Sequence, residues 1–151
     1  MIKRIFLFLL FFTSLTHATA HLQDMSGKSI ALSDLKGKWI FINYWASWCH
    51  TCLKEIPELN RFYDEHQPND VALFAVNYDG LPLEKLQELI KAVDMHYPSL
   101  STDPAGELQL GDIRGVPVTF VFDPKGQLTE TLYGGQNRRA LEKITSKKLT
   151  P

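Results

Sequence analysis

The two cysteines of this chain lie three positions apart, in the run Trp48-Cys49-His50-Thr51-Cys52. A Cys-x-x-Cys pair at the start of a helix can cycle between dithiol and disulfide. The positive end of the helix dipole favours the thiolate, which is the attacking species. On this reading Cys49, at the helix start, is the nucleophile, and Cys52, one turn further in, resolves the mixed disulfide. Zinc is the competing use of such a pair. Two cysteines do not complete a tetrahedral site, and the sequence offers neither a second Cys pair nor a His-x-x-His. The other histidines, among them His21, His66 and His96, are scattered without ligand spacing, so no metal is expected. His50 sits beside the nucleophile. If protonated it favours the thiolate and pushes toward a more oxidising couple; its alternative is a solvated side chain of little effect.

The elements that must hold this pair are legible around it. Residues 39–45 form a nearly continuous apolar, β-rich run, as in a strand buried on both faces. A helix is expected from about Cys49 to His66, with Leu53, Ile56, Leu59, Phe62 and Tyr63 at helical spacing and Pro57 as a kink. Residues 71–76 read as a second buried strand and 83–93 as a second helix; residues 107–110 are expected to form a short helix. Residues 119–122 and 128–133, joined by Asp123-Pro124-Lys125-Gly126, carry the strongest hairpin signal, and 137–147 closes as a helix. Near the start, residues 22–25 and 29–32 flank Ser26-Gly27-Lys28 as a small hairpin, and 33–37 reads as a turn or helical cap. Parallel strands joined by helices and finished by an antiparallel hairpin give an α/β fold with a mixed sheet.

The chain has 151 residues, enough for one domain with a real core, and a formal charge of −1. Acids and bases are interspersed, so nucleic acid is not an expected partner. Residues 1–20 stand apart. Lys3 and Arg4 precede an apolar run at 5–12, and Ala18-Thr19-Ala20 ends the segment in small residues. This is the pattern of a secretory signal peptide, with the domain occupying 21–151. The expected location is extracytoplasmic, the periplasm, whether the segment is cleaved or retained as an anchor. No cysteine follows the apolar run, which excludes lipid attachment there. An oxidising compartment permits stable disulfides. A bridge across one helical turn closes a tiny loop, however, and removes little unfolded-state entropy, so reactivity explains the pair better than a structural role.

A Cys-x-x-Cys beside a βαβ pattern resembles the thioredoxin fold. Residues 43–52 look like that family's strand, active-site loop and helix start. Pro57 matches its kink proline, and Gly115-Val116-Pro117-Val118-Thr119-Phe120 resembles its cis-proline loop. More narrowly, the chain is similar to exported thiol-disulfide oxidoreductases of the TlpA/ResA type, which include cytochrome c maturation reductases. The amino-terminal hairpin with residues 32–38, Glu55 three residues after Cys52, and the strand and helix between Val71 and Val93 carry that likeness. The resemblance implies a three-layer thioredoxin-like fold with an amino-terminal β-hairpin and a central βα insertion.

It also implies roles. Thioredoxins usually carry a buried aspartate at the position of Asn43; that acid is absent here, leaving Glu55 as the candidate proton relay to Cys52, against the plain alternative of a solvent-facing glutamate. His50 and Thr51 occupy the positions that help set redox poise. Trp48 is expected to flank the site and Trp45 to lie in the core. Pro117 is expected to follow a cis peptide bond and pack against the disulfide, with the Val116 backbone pairing with an extended substrate chain. The implied activity is that of a monomeric protein-disulfide reductase whose cofactor is its own Cys49–Cys52 couple. It would act on protein thiols and disulfides such as those of apocytochrome c and be re-reduced by a membrane thiol-electron carrier. The alternatives are a disulfide-forming oxidant or isomerase, and a binding module that retains the fold without chemistry. A peroxidase-type site is disfavoured because the threonine-proline context before its cysteine is missing.

Overall fold

The computed structural model describes residues 20–66 and 69–147. The signal-peptide reading therefore falls outside the described residues for positions 1–19. Among the described residues, no helix is long and apolar enough to cross a membrane.

A short antiparallel hairpin opens the fold, β1 (His21–Gln23) against β2 (Ser29–Ala31), with Leu22 opposite Ile30. One 3-10 turn, Leu32–Leu35, follows where a turn or cap was expected. Next come β3 (Trp39–Trp45), α1 (His50–His66), β4 (Val71–Asn77), α2 (Leu83–Ala92), β5 (Val118–Phe122), β6 (Leu128–Tyr133) and α3 (Arg138–Thr145). The main sheet has the order β4-β3-β5-β6. β3 runs parallel to β4 and antiparallel to β5, and β5 and β6 form the expected hairpin.

β3 is the central strand, and all seven of its residues are buried. Alternation sends Trp39, Phe41 and Trp45 to one face and Ile40, Ile42 and Tyr44 to the other. The first set packs on Cys52, Ile56, Leu59 and Phe62 of α1, with Leu86 of α2 and Leu141 and Ile144 of α3. Phe41 and Phe62 meet edge to face, 5.3 Å between centroids. The second set packs on Phe120 and Phe122 of β5, Leu22 of the hairpin, and Leu100 and Leu108 of the segment after α2. The helices thus hold one face, while the amino-terminal hairpin and residues 98–113 cover the other. Beyond β4, Ser99 makes a parallel bridge to Ala75.

The short helix expected at 107–110 does not form. The Leu108 N–H donates to the Pro104 carbonyl and the Leu110 N–H to that of Ala105, giving turns only. Gln109 takes φ of 54° and Gly111 of 77°, left-handed values that end a right-handed helix before a second turn can repay its nucleation.

Candidate active site

β3 delivers the chain to the cysteines. Cys49 occupies the position before α1: its carbonyl accepts from the Leu53 N–H at 3.1 Å, the first bond of the helical ladder. Its sulfur accepts from the Cys52 N–H at 3.1 Å. Cys49 is therefore placed as a side-chain cap, where serine or aspartate ordinarily satisfies a free N–H at a helix start. A donor aimed at sulfur favours its charged form. The two cysteines are joined as a disulfide, with Cα atoms 5.2 Å apart. Cys49 keeps 7% exposure and Cys52 none, so an incoming sulfur can reach only the first.

The loop ahead of Cys49 is tied to β4. The carboxylate of Asp79 accepts from the Ser47 N–H at 2.9 Å and the Ser47 hydroxyl at 3.0 Å, and is itself held by the Asn77 amide at 2.7 Å. Trp48, between them, is 68% exposed at the rim, whereas Trp45 is fully buried. His50 and Thr51 face solvent on the first turn.

The second wall is the loop entering β5. The Val116-Pro117 bond is cis, as the resemblance implies. The Val116 carbonyl oxygen lies 3.6 Å from the Cys49 sulfur. The Tyr78 hydroxyl donates to the Ile113 carbonyl at 2.9 Å and so braces this loop from the end of β4. Beside it opens a cavity of about 290 Å³ lined by Ile113, Arg114, Gly115, Val118 and Tyr133 among others.

Glu55 points inward. It is 3% exposed, in the turn of α1 after Cys52. One carboxylate oxygen accepts from the Asn43 amide at 2.8 Å, the other from the Gln136 backbone N–H at 2.7 Å. The same Asn43 amide donates to the Thr119 hydroxyl at 3.0 Å, across the β3–β5 pairing that sets those two residues opposite. Burial raises the Glu55 pKa above the ordinary carboxylate value, and the two hydrogen bonds pull partly back. Buried Tyr97 lies within reach of that charge; desolvation first, then Glu55, drives its hydroxyl well above the ordinary phenol range.

The sequence-derived residues thus converge on one end of the sheet. Cys49, Cys52 and Val116 touch or are bonded, Pro117 is buried next to Val116, Glu55 is buried one turn along α1 from Cys52, and Trp48, His50 and Thr51 are exposed. Sequence reasoning missed Asp79, Tyr78 and Gln136. The first two act through loop contacts without a motif, and the third acts through its backbone, which leaves no mark on residue type.

No metal-type grouping is found at this end among the described residues. Glu65, His66 and Glu142 do cluster, but at the far end of α1. Arg138 already holds both oxygens of Glu65, at 3.0 and 2.8 Å, and stands 3.4 Å from Glu142. The group is an ion-pair network. A cavity of about 540 Å³, lined by Trp39, His66 and Glu142 among others, lies at that end too.

Residues 16–131 match the AhpC/TSA family model. The chain belongs to the AhpC/TSA family. Within this family its likeness is to the ResA type of thiol-disulfide oxidoreductase. It is 32% identical over 129 residues to the thiol-disulfide oxidoreductase ResA of Bacillus thuringiensis subsp. konkukian, covering 85% of this chain and 73% of that one. Its fold matches the crystal structure of StoA from Bacillus subtilis with a TM-score of 0.70 at 26% identity, covering 85% and 97% of the two chains. It matches the pneumococcal exposed lipoprotein thioredoxin from Streptococcus pneumoniae with a TM-score of 0.71 at 26% identity, covering 85% and 98%. The AhpC/TSA chain described here is accordingly a thioredoxin-like thiol-disulfide oxidoreductase with a Cys-x-x-Cys disulfide.

Proposed function

We propose that this chain is an extracytoplasmic reductant of protein disulfides, exported by residues 1–20, with apocytochrome c among its substrates. A membrane thiol-electron carrier would re-reduce it. The observation that carries thiol-disulfide exchange at Cys49, in either direction, is the Cys52 N–H aimed at its sulfur beside the Val116 carbonyl; the reducing direction rests on the environment of Cys52 and His50.

The Cys49 thiolate attacks one sulfur of a substrate disulfide. A mixed disulfide forms, and the first substrate thiolate leaves and takes a proton. Cys52 then gives its proton to the Glu55 carboxylate and attacks the Cys49 sulfur. The second substrate thiolate leaves and is protonated in turn. Two electrons pass to the substrate, which ends as a dithiol, and the protein ends as the Cys49–Cys52 disulfide. The Val116 backbone pairs with the extended substrate chain, and Trp48 supplies an apolar rim.

Two features favour the reducing direction. A buried carboxylate one turn beyond Cys52 keeps that sulfur as the thiol, so only Cys49 can gain thiolate stabilisation in the dithiol form. His50 is exposed, so solvent and salt screen its charge. The disulfide-forming alternative rests on His50 and the capped Cys49 sulfur. Thioredoxin-like couples span roughly −270 to −120 mV, about 7 kcal/mol for two electrons. Equilibration with glutathione is expected to place this couple in the reducing half of that range. A potential near −120 mV would reject the reductant reading and leave the oxidant.

A further inference from the structure

Three consecutive residues after β6 grip three parts of the site. The Gly134 N–H donates to the Pro117 carbonyl at 2.9 Å. Gly135 passes so close to α1 that a Cβ on it would lie 2.9 Å from the Thr51 Cγ2 and 3.8 Å from a Glu55 carboxylate oxygen. The Gln136 N–H donates to that same oxygen at 2.7 Å. The turn is braced internally, because the Gln136 side-chain amide donates to the Gly134 carbonyl at 2.9 Å. Beyond it, Asn137 caps α3 and the Arg138 N–H holds Glu58 at 3.1 Å.

We infer that residues 134–136 form a clasp in which Gly135, by lacking a side chain against Thr51, lets the Gln136 N–H reach Glu55 and so sets that group's proton affinity. Gly135 is a positioning residue on this account. The inference rests on reading Glu55 as the proton relay. The ionisable groups facing Glu55 are Tyr97, from the segment after α2, and the Cys52 thiol one turn back on α1 once the disulfide opens. β3 and β5 face it with neutral Asn43 and Thr119.

The geometry makes a specific test available. The Gly135 backbone lies outside the left-handed region, so alanine is accepted there without backbone strain. The clash is with one methyl group, on a β-branched side chain whose rotation in a helix is restricted. The measurement is the Glu55 carboxylate carbon shift against pH in the oxidised protein, where neither cysteine titrates. Gly135→Ala is expected to raise the Glu55 midpoint by about one pH unit, the scale of one hydrogen bond to a charged group. Adding Thr51→Ser, which deletes the offending methyl, is expected to return the midpoint to the wild-type value; Thr51→Ser alone should leave it in place. An unchanged midpoint in Gly135→Ala overturns the clasp. So does a shift that Thr51→Ser fails to reverse, since general disruption of the turn would not be cured by one methyl. The relay reading fails separately: it falls if Glu55→Gln leaves the pH profile of thiol exchange untouched, and the carbon-shift result stands regardless.

Discussion

Cys49→Ser is expected to reduce insulin-disulfide turnover to the uncatalysed level while leaving a cooperatively folded protein. A serine hydroxyl forms no disulfide and is not ionised at neutral pH, so the mixed disulfide has no starting point. Cys52 cannot substitute, because it is fully buried beneath the first turn of α1. The lost bridge spans one turn, at the short end of the loop-length dependence of disulfide stabilisation. Cys49 belongs to the core cluster of β3 and α1, but the change replaces one sulfur by oxygen and leaves Phe41, Trp45, Ile56, Leu59 and Phe62 in place. Reductase turnover in the variant, followed by turbidity with thermal unfolding as a folding control, checks this. Turnover near the wild-type rate would remove Cys49 from the role of nucleophile.

Cys52→Ala is expected to fail differently. Its Cys49 still attacks, but nothing resolves the product, so a covalent adduct with substrate accumulates toward one per chain. The order of exposure at the two sulfurs fixes which variant traps: Cys49 is the reachable one. The adduct should be visible on a non-reducing gel, vanish with reductant, and be absent from the Cys49→Ser, Cys52→Ala double variant. An adduct that forms without Cys49, or a Cys52→Ala protein that turns over normally, would reverse the assignment. The same trap applied to an extracytoplasmic extract would name the physiological substrate.

Much of this site can be read from the chain because its parts are local. The apolar run 39–45 announces a strand buried on both faces, and the helical spacing of Ile56, Leu59 and Phe62 announces the face of α1 that covers it. Glu55 is marked in sequence by its spacing from Cys52, but its burial is a tertiary fact. It follows from Asn43 and Thr119 meeting across β3 and β5 and from a backbone N–H some 80 positions away. Asn43 reads in sequence as a missing acid; in the fold it is a donor serving two partners. Asp79 and Tyr78 escape sequence reasoning for the same reason, since a carboxylate holding Ser47 and a phenol holding the Ile113 carbonyl look like any surface residues until the loops are placed. The expected helix at 107–110 is lost because left-handed Gln109 and Gly111 outweigh a weak local preference.

The central claim is that the start of α1 activates the Cys49 sulfur. Its most direct test is the rate of Cys49 alkylation across a pH series, in the reduced Cys52→Ala protein so that one thiol is read. The account predicts an inflection clearly below the free-thiol value of about 8.5. An inflection at or above that value would contradict it.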